Sequence, residues 1–319
     1  MNVLISSAGR RTSLVDSFLE ACDGHGKVVA SDADPLAPSL MAADIGVVVP
    51  RLTEPEFVDD MLRLCQTHDI GLIVPTIDTE LPLLAEHRDR FTAVGANPLV
   101  ASKELIEVTA SKRRTEAVFR EAGISTPPSW STDSIPVADD IELFVKPDRG
   151  SASAHTFRVD SKSIDALLPL VPDPIVQERI DAVEVTVDAL LDRAGKVIHF
   201  VPRIRLKTIG GESVEGVTLP DDPIRDWLLG VLSVVADLGG WGPMTIQMFL
   251  TAPDPTLIEV NPRFGGGFPL AYRAGGLYPQ WILEMMTGNE LRARLGEYRK
   301  GLFMTRSFVE RYVDGGWSQ

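Results

Sequence analysis

The twelve residues from Thr256 to Gly267 constrain this chain more than any other stretch. Leu257, Ile258 and Val260 read as a strand, and period-two alternation puts Glu259, Asn261 and Arg263 on one face as that strand runs out. Pro262 ends the ladder because it has no N–H to donate, and Gly265, Gly266 and Gly267 let backbone come close to a ligand. A carboxylate, an amide and a guanidinium side by side make a poor core. They are either a solvated strand end or a polyphosphate site, in which Glu and Asn offer hard oxygens to Mg2+ and Arg stabilises charge on a transferring phosphoryl group. Gln247 favours the second reading. It sits on the preceding apolar run, Met244 to Leu250, and a hairpin through Ala252 to Pro255 brings it beside Glu259.

Gln247, twelve residues ahead of Glu259-Val-Asn-Pro-Arg263, resembles the metal-binding strand pair of the ATP-grasp superfamily. That superfamily includes carboxylate–amine ligases, biotin carboxylase and the large subunit of carbamoyl phosphate synthetase.

Length and composition are compatible with this. At 319 residues the chain is long for one core, so two or three packed domains are expected. A formal net charge of −14 argues against a polyanionic partner, nucleic acid or anionic membrane, while leaving room for a locally basic nucleotide site. Cys22 and Cys65 lie far apart in helix-like stretches, so neither a disulfide framework nor a zinc site is expected. Arg10 and Arg11 follow the first apolar run rather than precede it, which is not the pattern of a signal peptide, and no apolar run approaches a membrane span. These features predict a soluble, cytoplasmic protein.

Over the first hundred or so residues the chain repeats strand then helix four times, which predicts a small parallel α/β domain. Asn2 to Ser6 runs into a small-residue turn and a helix from Leu14 to Cys22; Lys27 to Asp32, Ile45 to Val49 and Gly71 to Val74 are the further strands. One glycine stands where a dinucleotide fingerprint needs three, so an oxidoreductase is disfavoured. Ligands of such sheets bind beyond the carboxyl ends of the strands, here Ser6 to Arg11, Asp32 to Asp34 and Thr76 to Glu80. Arg10, Asp78 and Glu80 are thus candidate substrate residues, with solvation of Arg10 and helix capping by Asp78 as the structural alternatives. Ser102 to Glu121 reads as one helical stretch, broken off by Pro127 and Pro128.

Further motifs match the family in order. Lys112 matches a phosphate-binding lysine, with Ser111 where the family has an acid. Leu143 to Val145 is a buried strand with Lys146 at its end, followed by a small-residue loop from Gly150 and Ser151 to His155. A strand lysine reaches phosphates as a point charge, and such a loop covers them with N–H groups. The resemblance implies that Glu178, with the backbone of Arg179 and Ile180, reads adenine and that Glu184 accepts the ribose hydroxyls. Arg203, Arg205 and Lys207 alternate onto one face of a strand, where three like charges are either solvated or share an anion; we expect the anion. Ile209 to Gly216 reads as a flexible connection, Arg225 to Leu238 as a core helix, and Gly301 to Val313 as a closing strand and hairpin.

Taken together, the resemblance implies an α/β protein. An N-terminal Rossmann-like (pre-ATP-grasp) domain over residues 1–101 would precede a two-subdomain ATP-grasp fold. The small subdomain, with its phosphate-covering loop, would span 102–175, and the large one, with its Mg-binding strands, 176–319. Small stand-alone proteins related to the carbamoyl phosphate synthetase large subunit share the openings Ser6 to Arg11 and Val74 to Glu80. ATP and one or two Mg2+, with Mn2+ as an alternative, are the implied cofactors, the metal held by Gln247, Glu259 and Asn261. Arg263, Lys146 and Arg205 would be catalytic; Lys112, Lys146, Gly150, Ser151, Glu178, Arg179, Ile180 and Glu184 would hold the nucleotide; Arg203 and Gly266 would join Arg10, Asp78 and Glu80 around a small-molecule substrate. Formation of an amide between a carboxylate and an amine, through an acylphosphate, is the expected reaction. Phosphoryl transfer of kinase or carbamoyl-phosphate type and nucleotide binding without turnover are the alternatives. A homodimer is compatible with the family.

Overall fold

The structure, a computed structural model, describes residues 1–132, 134–135, 142–150, 155–160, 163–209 and 212–312 of the 319. Three sheets organise them.

The first is parallel. Strands β1 (Asn2–Ser6), β2 (Val28–Asp32), β3 (Ile45–Val48), β4 (Ile70–Pro75) and β5 (Asn97–Pro98) lie in the order β3-β2-β1-β4-β5. Helices α1 (Thr12–Cys22), α2 (Pro38–Ala42), α3 (Phe57–Thr67), α4 (Leu81–Glu86) and α5 (Arg88–Ala93) connect them, with a single 3-10 turn at Asp78–Glu80. The apolar centre of β1, with Val3, Leu4 and Ile5 fully buried, is that of a central strand covered on both faces. The order reverses between β1 and β4, so the loops after these two strands flank the crevice where open sheets hold ligands.

The expected single helix from Ser102 is two helices, α6 (Lys103–Thr109) and α7 (Lys112–Glu121). The break falls at Ser111, whose hydroxyl accepts the Arg114 N–H and caps the second helix, as Ser102 caps the first through Leu105. Both helices pack on the edge strand Thr256–Asn261 of the large sheet described below.

The second sheet is small. β6 (Ser129–Trp130), β7 (Glu142–Pro147), β8 (Phe157–Asp160) and β9 (Pro174–Glu178) pair in the order β6-β9-β7-β8, with the short helix α8 (Ile164–Leu167) against them. Its core is its own, built from Leu143, Val145, Val159, Ile164, Val171 and Val176. All of β9 belongs to this sheet, so pairing runs past residue 175 to Glu178.

The third sheet is antiparallel, ordered β14-β13-β10-β11-β12-β15. Its strands are β10 (Glu184–Leu191), β11 (Val197–Ile209), β12 (Glu212–Thr218), β13 (Gly242–Phe249), β14 (Thr256–Asn261) and β15 (Phe303–Thr305), and its helices α9 (Arg225–Asp237), α10 (Phe268–Ala274) and α11 (Tyr278–Met286). One face is apolar: Val185, Val187, Phe200, Met244, Ile246, Met248 and Val260 join Phe119 and the α9 leucines in one core. A second core ties this part to the first sheet, with Phe18 of α1 edge-on to Phe264 at 6.0 Å and Phe268 and Tyr278 beyond. Fully burying a side chain such as Phe264 contributes about 1.5–3 kcal/mol.

Two expectations about the end of the chain are corrected. The connection expected over Ile209 to Gly216 contains β12, whose inward residues are Ser213, Gly216 and Thr218. Gly216 is there for room, since a Cβ would lie 3.0 Å from the Ile204 carbonyl oxygen. The expected closing hairpin is a three-residue strand, β15, paired to β12, with one further bond from the Arg306 N–H to the Val214 carbonyl; residues 307–312 lie in no strand, Phe308 is 93% exposed, and Val313 lies outside the described residues. Among the described residues no helix is long and apolar enough to cross a membrane.

Candidate nucleotide and metal site

The polar face of the large sheet is made by strict alternation. β10 contributes Glu184, Thr186 and Asp188 to it, while Val185 and Val187 turn into the core. In register across the strands, Thr186 stands opposite both Arg203 and Gln247, and Gln247 opposite Glu259; Thr245 stands opposite Asp188 and Asn261. The sheet thus presents a row Arg203–Thr186–Gln247–Glu259 beside a row Asp188–Thr245–Asn261.

The hairpin between β13 and β14 does bring Gln247 to Glu259. One Glu259 oxygen accepts the Gln247 amide N–H and, at 2.9 Å, that of Asn261. Turning either amide by half a rotation points its oxygen into the same space, so one carboxylate and two amide oxygens can converge there. That donor set suits a hard divalent cation, completed by phosphate and water. It contains a single acid, and among the described residues no group of three or more His, Cys, Asp or Glu forms a metal cluster.

Cations close the space from the other elements. Lys146 stands at the end of β7, its Nζ 5.6 Å from the Phe144 ring centre. Burial pushes its pKa down to about 8; Glu259 opposes that and Lys112 adds to it. Lys112 is likewise lowered by burial and opposed by Glu259, Asp148 and Asp78, so both lysines sense Glu259. The Lys112 ammonium donates to the carbonyl oxygens of Asp148 and Gly150, 3.2 Å each, which ties the start of α7 to the segment after Lys146. The acid missing at position 111 is supplied from across this junction. Asp148 accepts the Ser111 hydroxyl at 2.7 Å and the Arg113 N–H at 2.8 Å.

Arg263 leaves the end of β14 and donates to the Asp78 carboxylate at 2.7 Å, joining the large sheet to the loop after β4 across 185 residues of sequence. Glu184 pairs with Arg205, which also reaches Gln247 at 3.5 Å. Glu178 is exposed at the end of β9. The Arg179 N–H is spent on the Glu142 carbonyl at 2.9 Å, so an adenine edge would have to be read by its neighbours. Ile180 follows, half-buried, and Ser151 lies outside the described residues.

The structure places three other candidates differently. Arg203 and Asp188 form a buried ion pair at 2.7 Å, each side chain 2% exposed, so Arg203 does not open onto a groove. The shared anion expected for the β11 cations is replaced by three separate carboxylates: Asp188 for Arg203, Glu184 for Arg205, and Glu215 for Lys207 at 3.7 Å. Glu80 is fully buried, near the Ser6 and Ser7 hydroxyls and Asp32, and burial raises its carboxyl to about 7.

The glycines of the 265–267 segment also serve the protein's own floor. A Cβ on Gly267 would collide with the Arg203 guanidinium, and one on Gly265 would come within 3.0 Å of an Asp188 oxygen and 2.9 Å of the Thr245 hydroxyl. Gly266 instead faces Arg11, and its carbonyl accepts from Arg306 at 2.5 Å. Sequence reading missed Thr186, Asp188 and Thr245; the alternation Glu184, Thr186, Asp188 along one strand was the signal that could have found the first two.

Comparison with known proteins agrees with this architecture. Residues 3–99 match the family model of the PylC-like N-terminal domain, and residues 109–267 that of the ATP-grasp domain. The carbamoyl phosphate synthase large chain of Gemmatimonas aurantiaca is 22% identical over 278 residues, 80% of this chain, which spans about a quarter of that protein's length (25%). The biotin carboxylase domain of Hydrogenobacter thermophilus 2-oxoglutarate carboxylase, solved with MgADP and bicarbonate, superposes with a TM-score of 0.73 at 15% identity, over 99% of this chain and 80% of that one. An L-amino acid ligase from Bacillus licheniformis gives 0.68 at 22% identity, over 89% and 74%. A parallel sheet beginning the chain, a small sheet carrying a strand lysine, and an antiparallel sheet whose last hairpin joins Gln247 to Glu259 meet those matches, and the chain belongs to the ATP-grasp superfamily, with a PylC-like N-terminal domain ahead of its ATP-grasp domain.

Proposed function

We propose that the protein is an ATP-dependent carboxylate–amine ligase, acting on small molecules through an acylphosphate. The observation that carries this reading is the convergence of Gln247, Glu259 and Asn261 on one space that Lys112 and Lys146 also face, with Arg263 at its edge. Residues 1–101, 102–175 and 176–319 are the units we assign to the N-terminal domain, the small subdomain and the large subdomain.

In this reading Gln247, Glu259 and Asn261 would hold Mg2+, or Mn2+ in its place, and the ion would supply positive charge against the phosphates of the nucleotide. Lys112 and Lys146 hold the phosphates as point charges, the main chain of Gly150 covers them, Glu178 with the Ile180 N–H reads adenine, and Glu184 takes the ribose. The acceptor carboxylate attacks the γ-phosphorus, the bond to the bridging oxygen breaks and ADP leaves. Arg263 stabilises charge on the transferred group, which requires it to exchange Asp78 for that group; Arg205 fixes Glu184 and Gln247 beside it. The amine then attacks the acyl carbon, phosphate departs and the amine gives up a proton. No protein nucleophile is needed. The ligase fold of the amino acid ligase neighbour supports this class, while its substrates remain its own.

Release of ADP and phosphate with Mg2+ across a panel of amino-acid pairs tests the reading, with Glu259→Ala as control and MgADP binding followed in parallel. Turnover that needs two added compounds and falls at least about a hundredfold in the variant is expected. The similarity to a carbamoyl phosphate synthase chain supports a second reading, phosphoryl transfer to a stable product. ADP without free phosphate would favour it. Binding without turnover on a wide panel would favour a nucleotide-binding protein, and failure to bind MgADP would overturn the assignment.

A further inference from the structure

Without substrate, Arg263 is committed to a carboxylate. Its guanidinium donates to Asp78 at 2.7 Å and to the Phe264 carbonyl at 3.3 Å, while its Nε is buried with no hydrogen-bond partner. The reaction proposed above needs that guanidinium on the transferred group, so the contact with Asp78 has to open.

Asp78 is firmly placed. It starts the 3-10 turn after β4, two residues from Thr76, whose hydroxyl donates to the Ser7 carbonyl and whose own carbonyl accepts from Arg11 at 3.3 Å. The loops after β1 and β4 are thereby tied together at the reversal of strand order, where an open sheet holds its ligand. The Asp78 side chain is 29% exposed, enough for a small molecule to reach, and it makes no other hydrogen bond or ion pair among the described residues. Lys112 is no substitute for Arg263. It senses Asp78 less than it senses Glu259 or Asp148, and its ammonium is engaged by the Asp148 and Gly150 carbonyls. A largely buried carboxylate that loses its counter-ion is destabilised, so the pair opens most readily for a molecule that brings a positive charge of its own.

An α-amino acid fits both sides of the opened pair. Its ammonium can take the Asp78 carboxylate and its carboxylate the Arg263 guanidinium, and the single carbon between its two charged groups suits partners that start in direct contact. A plain carboxylic acid offers only the second half of that exchange, and a plain amine only the first.

We propose that the Asp78–Arg263 pair is a latch opened by a zwitterion: Asp78 receives the ammonium of an α-amino acid whose carboxylate is the phosphoryl acceptor, and this exchange releases Arg263 to the transferring phosphoryl group. Phosphoryl transfer then waits for the acceptor. This rests on the ligase reading above.

The test is calorimetric titration of the full chain with MgADP, alone and with aluminium fluoride, which stands in for the phosphoryl group in transfer. Glycine, the smallest α-amino acid, should tighten the parent's fluoride complex about tenfold, a charged hydrogen bond's worth, and acetate or methylammonium should not. Asp78→Asn should reach the tightened affinity without glycine and gain nothing when glycine is added. Arg263→Gln should show no tightening, alone or combined with Asp78→Asn, so the two substitutions are non-additive. Asp78→Ser gives the same reading should the asparagine variant fail to fold.

Acetate acting as well as glycine, or a fluoride complex of both Asp78 variants no tighter than the parent's, would overturn the latch. If glycine has no effect, the other common amino acids are run in the same assay, and no effect from any of them overturns the zwitterion. All these failures leave MgADP binding intact. A parent that binds no MgADP would instead sink the nucleotide reading, and the latch with it.

Discussion

Two polar arrays share one face of the large sheet, and their electrostatics differ. On β11, Arg203, Arg205 and Lys207 each have a carboxylate of their own, and the side chains are 2%, 22% and 58% exposed along the strand. On β13 and β14, one carboxylate stands between two amides, and the positive charge that it senses comes from lysines on other elements. The cation array is internally neutralised, and its buried end is a foundation for the glycine segment above it. The Glu259 array is left for cations that arrive, Lys112, Lys146 and a metal. Alternation alone puts residues on a face; what stands across the neighbouring strand decides whether that face is a foundation or a site.

The largest effect expected from breaking this contrast is on stability. Arg203→Ala leaves Asp188 charged and buried without its partner, and should cost about 3–5 kcal/mol in the urea-unfolding free energy. Replacing both partners, Arg203→Met with Asp188→Leu, should recover much of that. A single variant that unfolds like the parent would show that the pair is not the foundation proposed for residues 265–267.

Glu259→Ala should do the reverse, with an unfolding midpoint close to the parent's and turnover lowered about 10²- to 10³-fold, the range for losing one preorganised charge-stabilising group. Unchanged ADP release would remove Glu259 from the site.

Lys146 sharpens the comparison through pH. Its folded pKa is about 8, below the ordinary 10.5 of an unfolded lysine, so between those values the unfolded chain holds a proton that the folded one has released. Stability without nucleotide should therefore gain from this group as pH rises from 8 to 10.5. MgADP affinity should fall as pH climbs above about 8 and the ammonium is lost. Lys146→Met should flatten both profiles. A parent affinity constant from pH 7 to 9.5 would argue that Lys146 does not meet phosphate.

How far these arrays were legible in the sequence follows from distance along the chain. Gln247 and Glu259 are twelve residues apart across one hairpin, so alternation and the turn at 252–255 sufficed. Arg203 and Arg205 find their acids 15 and 21 residues away on β10, and nothing local says which carboxylate faces which cation. The Arg263–Asp78 contact spans 185 residues, and the two end residues were each proposed without being linked. β12 was hidden for another reason: its buried positions are Ser213, Gly216 and Thr218, so the apolar alternation that marks a strand is missing. Glu80 follows a strand end, where alternation and sheet topology predict a ligand residue, but a single 3-10 turn points it into the interior.

The smallest effect is the most discriminating for the β11 array. Lys207 and Glu215 are about half-exposed and 3.7 Å apart, a geometry in which an ion pair is worth about 0–1 kcal/mol. Lys207→Ala should leave the unfolding midpoint nearly unchanged and the Kd for MgADP untouched, because its charge is answered locally. If the three cations shared a bound anion, the same substitution would weaken nucleotide binding, and more strongly at low salt, where exposed charges are least screened. Measuring the Kd of parent and variant at two ionic strengths separates the cases: parallel curves keep the cations paired one by one, and curves that diverge as salt falls restore the common anion and move Lys207 into the phosphate site.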